Sequence, residues 1–454
     1  MKCSSTFFSF CVLLCPSLPF ISGFSIPQNT QNPSRLLSSR NPPTPYDALR
    51  ERVSHLLDKR TISNTTRTPI EVTGDHTFIP PDFENGAQRG PCPGLNALAN
   101  HGYISRDGIV GRKMAEVIAA INEVYGMSIV LATVLGVMGV VDVGNPLSLN
   151  PSFSIGGKSD QVHNLLDDLS GVVGTPRGLD GSHNFIEADS SNTRNDLYQT
   201  GDAWTMNMTL FMQAYDATDS DFITMDDIGQ RAADRFADSI ATNPLFYYGP
   251  YTGLVARNAG YAFAGRLLAN HTSEHPEGLL RANTSKAKEV FKSFFGVFGE
   301  EGSFEYKFGW EQIPQNWYKI PVEYGLVELN LDLINWVTQH PELASVGGNT
   351  GEVNSFVGLD LANVTGGILS AERLLEDNNL LCFALEIVKT FSPNSLSPLF
   401  ATLAVPLGLV MDATSAPILS LACPAFADMM MDGKPLWEGL FGQFPGAAKS
   451  GSAM

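Results

Sequence analysis

The sequence predicts a mainly α-helical fold, organised as one large domain with long irregular loops. Three observations carry this expectation. Apolar residues recur at helical spacing over several segments, strand-like alternation is scarce, and 42 glycines and 28 prolines break the chain between the segments. Hydrophobic residues make up 43% of the 454 and charged residues 17%, enough apolar material for a sizeable core. The length admits up to three compact units, and one large unit with extensions fits equally well.

The elements follow in order. Residues 1–23 hold Lys2, an apolar run from Phe7 to Phe20, and small residues at Ser22 and Gly23, the layout of a secretory signal peptide. Residues 24–75 are rich in Ser, Asn, Pro, Thr and Arg and read as a flexible leader or propeptide, with one short helix near Tyr46 to Leu57. Residues 76–320 form the core region, with helices expected over Ser105–Tyr125, Val124–Val141, Gln161–Leu169, Thr224–Ala241 and Thr284–Phe298. The stretch Val124–Val141 is uncharged and reaches the lower limit for a membrane span. It contains Gly126, Gly136 and Gly139 and lacks a basic flank, so a helix buried all round is the expectation. Residues 321–434 form a C-terminal helical extension of the same domain, with helices over Val327–Thr338, Leu369–Thr390 and Leu396–Val410. Residues 435–454 read as a flexible tail, and no internal repeat is evident.

The chain carries 47 acidic against 29 basic residues, a net charge of −18. An acidic surface of this size argues against nucleic acid and anionic membranes as partners. Five N-x-S/T sequons, at Asn64, Asn207, Asn270, Asn283 and Asn363, suit a secreted, extracellular protein with N-glycans. Six cysteines exclude a disulfide-dense scaffold, and no CxxC, HExxH or GKS/GKT signature occurs. Cys3, Cys11 and Cys15 leave with the signal segment, and Cys382 and Cys423 can pair, which leaves Cys92 odd. An odd thiol in a secreted protein is idle, intermolecular or functional. Cys92 lies in Pro91-Cys92-Pro93, immediately before a helix start at Gly94 to Asn100. The prolines restrict φ and remove amide donors, and a helix N-terminus lowers a thiol's pKa.

The stretch from Pro91 to Ile104, PCPGLNALANHGYI, resembles the haem-binding signature of the fungal haem-thiolate peroxidases, the chloroperoxidase and unspecific peroxygenase family. Ser154-Ile155-Gly156-Gly157-Lys158 is similar to another family segment. The block His183 to Asp196, HNFIEADSSNTRND, resembles the family pattern Glu-His/Gly-Asp-x-Ser-x-x-Arg. Gln315 to Tyr318, Gly347 to Gly351 and the Cys382–Cys423 spacing are similar to the long, peroxygenase-like members. The resemblance implies a haem b cofactor with Cys92 as axial thiolate. It also implies hydrogen peroxide as oxidant, an oxo-iron intermediate, and small apolar or aromatic organic substrates. Thiolate ligation favours O–O cleavage. It further implies a structural Mg2+ or Mn2+ held by Glu187, the Ala188 carbonyl and Ser191, hard oxygen donors suited to such ions. Asp189 and Arg194 are expected to support this loop.

One departure stands out. Family members use a distal Glu as acid–base, oriented by a His or by an Arg seven residues before it. Here the His position is Ala188, and from Ser239 to Ser273 there is no Asp or Glu. Asn243-Pro244-Leu245-Phe246 resembles the family's Asn-Pro-x-Phe, after which either Phe263 occupies the acid's place, or Tyr251 and Asn258 occupy the places of the arginine and the acid. Arg257 lies near the Arg position and is the candidate catalytic residue. A surface or propionate-facing arginine is its alternative role. Glu274 and His271 are other distal candidates, expected to be exposed beside the Asn270 sequon. The alternative function is thus a non-catalytic or weakly active haem-binding relative.

Overall fold

A computed structural model describes residues 68–111, 114–145, 148–164, 175–217, 223–280, 288–300, 302–360, scattered positions between 365 and 382, 430–431 and 433–449. The expected signal peptide, the leader up to residue 67, and the helices over 369–390 and 396–410 lie outside or almost wholly outside these residues, as does Cys423. Cys382 is disulfide-bonded.

The helices are α1 (Pro93–Asn100), α2 (Met114–Tyr125), α3 (Ile129–Met138), α4 (Leu197–Thr200), α5 (Met208–Tyr215) and α6 (Met225–Thr242). They continue with α7 (Asn258–Leu267), α8 (Lys288–Phe294), α9 (Leu326–Gln339), α10 (Leu436–Gln443) and α11 (Pro445–Ala448). Strands are two residues long. β1 (Ile109–Val110) pairs antiparallel with β2 (Phe153–Ser154), Val110 opposite Phe153. β3 (Tyr247–Tyr248), β6 (Gly347–Gly348) and β7 (Val357–Gly358) form one small sheet, and β4 (Val297–Phe298) and β5 (Glu305–Tyr306) form another. The expectation of a mainly α fold holds.

α6 illustrates why the helices form where they do. Thr224 accepts from the Asp227 amide, and Asp227 accepts from the Thr224 amide, closing a capping box. Ile228, Ala232, Phe236 and Ser239 recur on its buried face. α7 packs on both α6 and α9, which also touch each other. Trp317, Trp336, Tyr261, Tyr324, Phe236 and Phe246 are among the largest fully buried side chains of this centre.

The apolar stretch from Val124 to Val141 is not one buried helix. Gly126 adopts φ 73°, a left-handed turn that ends α2, and Ser128 then caps α3 by accepting from the Leu131 amide. α3 has ten residues and runs into a π-helical turn, Gly139–Val143. Ile129 is 60% exposed, and Val130, Thr133, Val134 and Leu135 are half-buried. Among the described residues no helix is long and apolar enough to cross a membrane. The helix expected from Ser105 begins only at Met114, because Ile109 and Val110 pair with β2. Residues 161–164 are irregular rather than helical.

Both ends of the folded unit also differ from expectation. The leader is attached before residue 76: the Ile70 amide donates to the Trp317 carbonyl, and the Tyr103 hydroxyl to the Glu71 carbonyl. Ile70 and Val72 pack on the core, which explains the early start. The tail is a docked helix pair. Leu436, Leu440, Phe444 and Ala447 are all buried and recur every three or four residues, an apolar stripe hidden in a small-residue composition.

Candidate active site

Cys92 occupies the N-cap position of α1, with extended backbone (φ −91°, ψ 104°) and no side-chain cap bond. Its carbonyl accepts from the Asn96 amide and opens the first helical turn. Asn96 staples the loop to the helix: its Nδ2 donates to the Gly90 carbonyl at 2.9 Å, and its Oδ1 accepts from the Gly90 amide at 3.2 Å. Gly90 sits against the Ile155 carbonyl and Asp180, so any Cβ there would collide. Gly156 faces the Arg89 carbonyl in the same way. This close approach explains glycine at both positions. On the other flank, the Tyr125 hydroxyl donates to the Gly94 carbonyl at 2.8 Å.

The thiol of Cys92 is free and half-buried. Burial pushes it up from its ordinary value, while the Leu95 and Gly94 amides and the Arg194 guanidinium pull it down. Arg194 stacks over Phe295 at 5.8 Å and donates to the Thr193 hydroxyl and the Trp204 carbonyl. Its Nη2 and the Glu311 Oε2 are buried without hydrogen-bond partners. A lone thiol beside an arginine with a spare donor suits an anionic prosthetic group whose metal takes a sulfur ligand.

The loop from His183 to Asp196 is held from several directions. Asp196 accepts from the Ser190 amide at 2.7 Å and from Asn243 Nδ2 at 2.9 Å, and pairs with Arg235 at 3.4 Å. Arg235 also donates to the Ser191 carbonyl. Asp189 accepts from the Tyr247 amide at 3.1 Å. Ser191 Oγ lies 3.0 Å from the Ala188 carbonyl oxygen, so two of the expected ion ligands are together. Glu187, the third, turns its Oε2 to His183 Nδ1 at 2.6 Å and keeps Oε1 buried without a partner. Burial lowers His183, but the Glu187 and Asp189 carboxylates outweigh it and lift the imidazole to about 9. Burial and Asp196 push Asp189 up. Among the described residues no group of three or more His, Cys, Asp or Glu side chains gathers as a metal centre. A cation here therefore needs the carbonyl and hydroxyl oxygens and further oxygens from outside the chain, donors that suit Mg2+ or Mn2+.

Arg257 is buried and fully engaged. Its Nε and Nη2 donate to the Ser190 carbonyl, Nη2 also to the Ala232 carbonyl, and Nη1 to Asn258 Oδ1. It lies 4.5 Å from the Tyr261 ring, and the Tyr261 hydroxyl donates to the same Ser190 carbonyl. Arg257 thus ties α7 to the acidic loop. Asn258 Nδ2 donates to the Tyr248 hydroxyl. The open face of α7 carries half-buried Phe263 and exposed Gly260, where an added Cβ would meet nothing within 4 Å, and half-buried Ala256 continues it in the preceding π-helical turn, Thr252–Arg257. Phe263 stands edge-on to Tyr324 at 6.2 Å. No carboxylate lies on this face. Tyr251 donates to Met138 Sδ at 2.8 Å, and burial pushes nearby Asp142, in the π-helical turn, up to about 7. His271 is not exposed as expected: it is buried, with its ring nitrogens on the Pro276 and Arg266 carbonyls. Glu274 is exposed. Sequence reasoning did not single out His183 or Glu311, which only their burial marks, nor the half-buried Asp142.

A helical domain with a free thiol at a helix N-terminus, glycines packed behind it, and an acidic loop tied to a neighbouring helix matches the class of haem-thiolate oxidoreductases. The chain belongs to the family described as "Peroxidase, family 2", which matches residues 76–322. An aromatic peroxidase of Fusarium equiseti is 54% identical over 398 residues, 87% of this chain and 89% of the relative. A dothistromin biosynthesis peroxidase of Dothistroma septosporum is 40% identical over 329 residues, 72% of this chain and 75% of its own. An aromatic peroxygenase of Coprinellus radians is 32% identical over 217 residues, 46% of this chain and 77% of its own. The chain is therefore a peroxide-dependent oxidoreductase of the peroxidase and peroxygenase type, and a haem-thiolate cofactor follows from the family.

Proposed function

We propose that this is a secreted haem-thiolate enzyme that uses hydrogen peroxide to oxidise or oxygenate small aromatic molecules, with Cys92 as the residue that would hold the haem iron. The observation that carries the reading is the free Cys92 thiol at the α1 N-cap, set on backbone that Asn96 and the glycine contacts hold rigid. A haem bound there supplies an iron whose thiolate ligand promotes cleavage of the peroxide O–O bond. The amides of Gly94 and Leu95 stabilise the sulfur's negative charge, and Arg194 adds a fixed positive charge beside it. Glu187, the Ala188 carbonyl and Ser191 would hold a Mg2+ or Mn2+ ion, and Arg257 and Tyr261 position that loop through the Ser190 carbonyl. Arg257 acts here as a positioning residue, since its donors are taken by backbone and Asn258. The names of the relatives support aromatic substrates, and the sequons support N-glycans.

The test is spectroscopic. Reduced wild-type protein under CO is expected to show the absorption band of thiolate-ligated haem, and Cys92→Ala is expected to lose it. Survival of the band in Cys92→Ala would remove Cys92 from the iron. A second reading, a weakly active haem-binding relative, is favoured by one observation: the open face of α7 presents Phe263 and no acid. Peroxide-dependent turnover of a phenol and hydroxylation of an aromatic by the purified protein separate the two.

A further inference from the structure

His183 has no role in the reading above, yet its surroundings are unusual. The ring is 1% exposed, lies edge-on to Tyr198 at 4.9 Å, and reaches two acids. Nδ1 stands 2.6 Å from Glu187 Oε2, and Nε2 stands 3.8 Å from Asp189 Oδ1. An ionised carboxylate accepts only, so the short contact places a proton on Nδ1. The backbone is shaped to make this contact. Asn184 adopts φ 62°, its amide donates to the Glu187 carbonyl at 2.8 Å, and Ser182 Oγ accepts from the Glu187 amide at 3.2 Å. A five-residue loop is thereby folded back until its first side chain meets its last.

The second observation is a cluster of buried polar atoms without hydrogen-bond partners: His183 Nε2, Glu187 Oε1, Asp189 Oδ1 and Ser190 Oγ. Each such atom is unfavourable if nothing satisfies it, because it has lost its water without gaining a partner. With Asn184 Oδ1 there are five such atoms within eight residues, four of them oxygens, and they point to a polar occupant. The His183 bond uses one oxygen of Glu187 and leaves the other bare.

We propose that His183 is the positioning residue of the divalent-cation site. It holds Glu187 through Oε2 and so leaves Oε1 as the coordinating atom. This rests on the reading of Glu187, the Ala188 carbonyl and Ser191 as an oxygen cage. A glutamate has three side-chain torsions, and the ring bond fixes the last of them. Loss of such an outer partner typically weakens metal binding about 10–100-fold.

The probe is Mn2+, titrated into the full-length, haem-loaded protein and read by electron paramagnetic resonance, with the Mn2+-induced shift in melting temperature as a second readout. Asparagine carries an amide nitrogen near the Nδ1 position, whereas glutamine carries it near Nε2. His183→Asn is expected to bind Mn2+ within about threefold of wild type, and His183→Leu and His183→Gln about 10–100-fold more weakly. A ring that only packs would lower the metal-free melting temperature in all three variants and leave Mn2+ affinity unchanged. Equal affinity in wild type and His183→Leu overturns the role of His183 and leaves the cage standing. If His183→Leu does not fold, equal affinity of the Asn and Gln variants overturns it instead. Absence of Mn2+ binding by wild type overturns the cage and the proposal together.

Discussion

Phe263 is one of the two residues that the family resemblance puts in the distal acid's place. It lies on the open face of α7 with Gly260 one turn before it and Ala256, in the preceding π-helical turn, two turns before it, and its ring meets Tyr324 rather than a charged group. Moving a proton between the two oxygens of peroxide needs a titratable group within reach, typically contributing about 10²–10⁴ in rate. Phe263→Glu is therefore expected to raise peroxide-dependent phenol oxidation by about 10²-fold or more, while leaving the thiolate absorption band in place. Steady-state rates for the variant and wild type check this, and equal rates would mean that another group already handles the proton. The absence of an acid between Ser239 and Ser273 was legible as a string. That Phe263 and Gly260 share an open face was not, because helical periodicity does not say which face lacks a neighbour.

Among the elements, α10 and α11 have the largest unforeseen role. Phe444 packs on Tyr247, the Gly446 carbonyl accepts from Asn184 Nδ2, and the Lys449 carbonyl accepts from the Tyr198 hydroxyl. Tyr247 donates through its amide to Asp189, so the terminal helices brace the acidic loop from outside. Burial of Leu436, Leu440 and Phe444 is worth roughly 1.5–3 kcal/mol each as an upper estimate. A chain ending at residue 435 is expected to melt several degrees lower and to exchange the Tyr247 amide hydrogen faster; an unchanged exchange rate would separate the terminal helices from the loop. α6 is the opposite case. Its capping box and periodicity lie within eighteen residues, and the expected span, Thr224–Ala241, matches Met225–Thr242 within a residue. Local signals of that kind survive folding. The apolar stripe at Leu436 to Ala447 shows its purpose only against Leu245, Tyr247 and Gly348, distant in sequence but adjacent in space.

At the scale of the whole molecule, two half-buried acids set a pH dependence. Burial pushes Asp142 up to about 7 and Asp180 up to about 8. A carboxyl raised in the folded state is held more tightly as the acid there than in the unfolded chain, where it titrates near 4. Its contribution to stability is fully present below pH 4 and is lost as pH rises through 7 to 8. Asp142→Asn is thus expected to melt higher than wild type at pH 8.5 and about equally at pH 4; thermal melts at both values check it, and a lower melting point at pH 8.5 would show that the ionised form is the stabilising one. The sequence by itself determined the helical class, the odd cysteine before a helix start and the stretch without an acid from Ser239 to Ser273, because each is written in contiguous residues. Only the tertiary structure decided that Arg257 is spent on the Ser190 carbonyl, that His183 grips Glu187 and that the terminal helices brace the same loop. Those facts depend on which buried donors and acceptors meet, and such pairing is set by the packing of distant elements rather than by spacing along the chain.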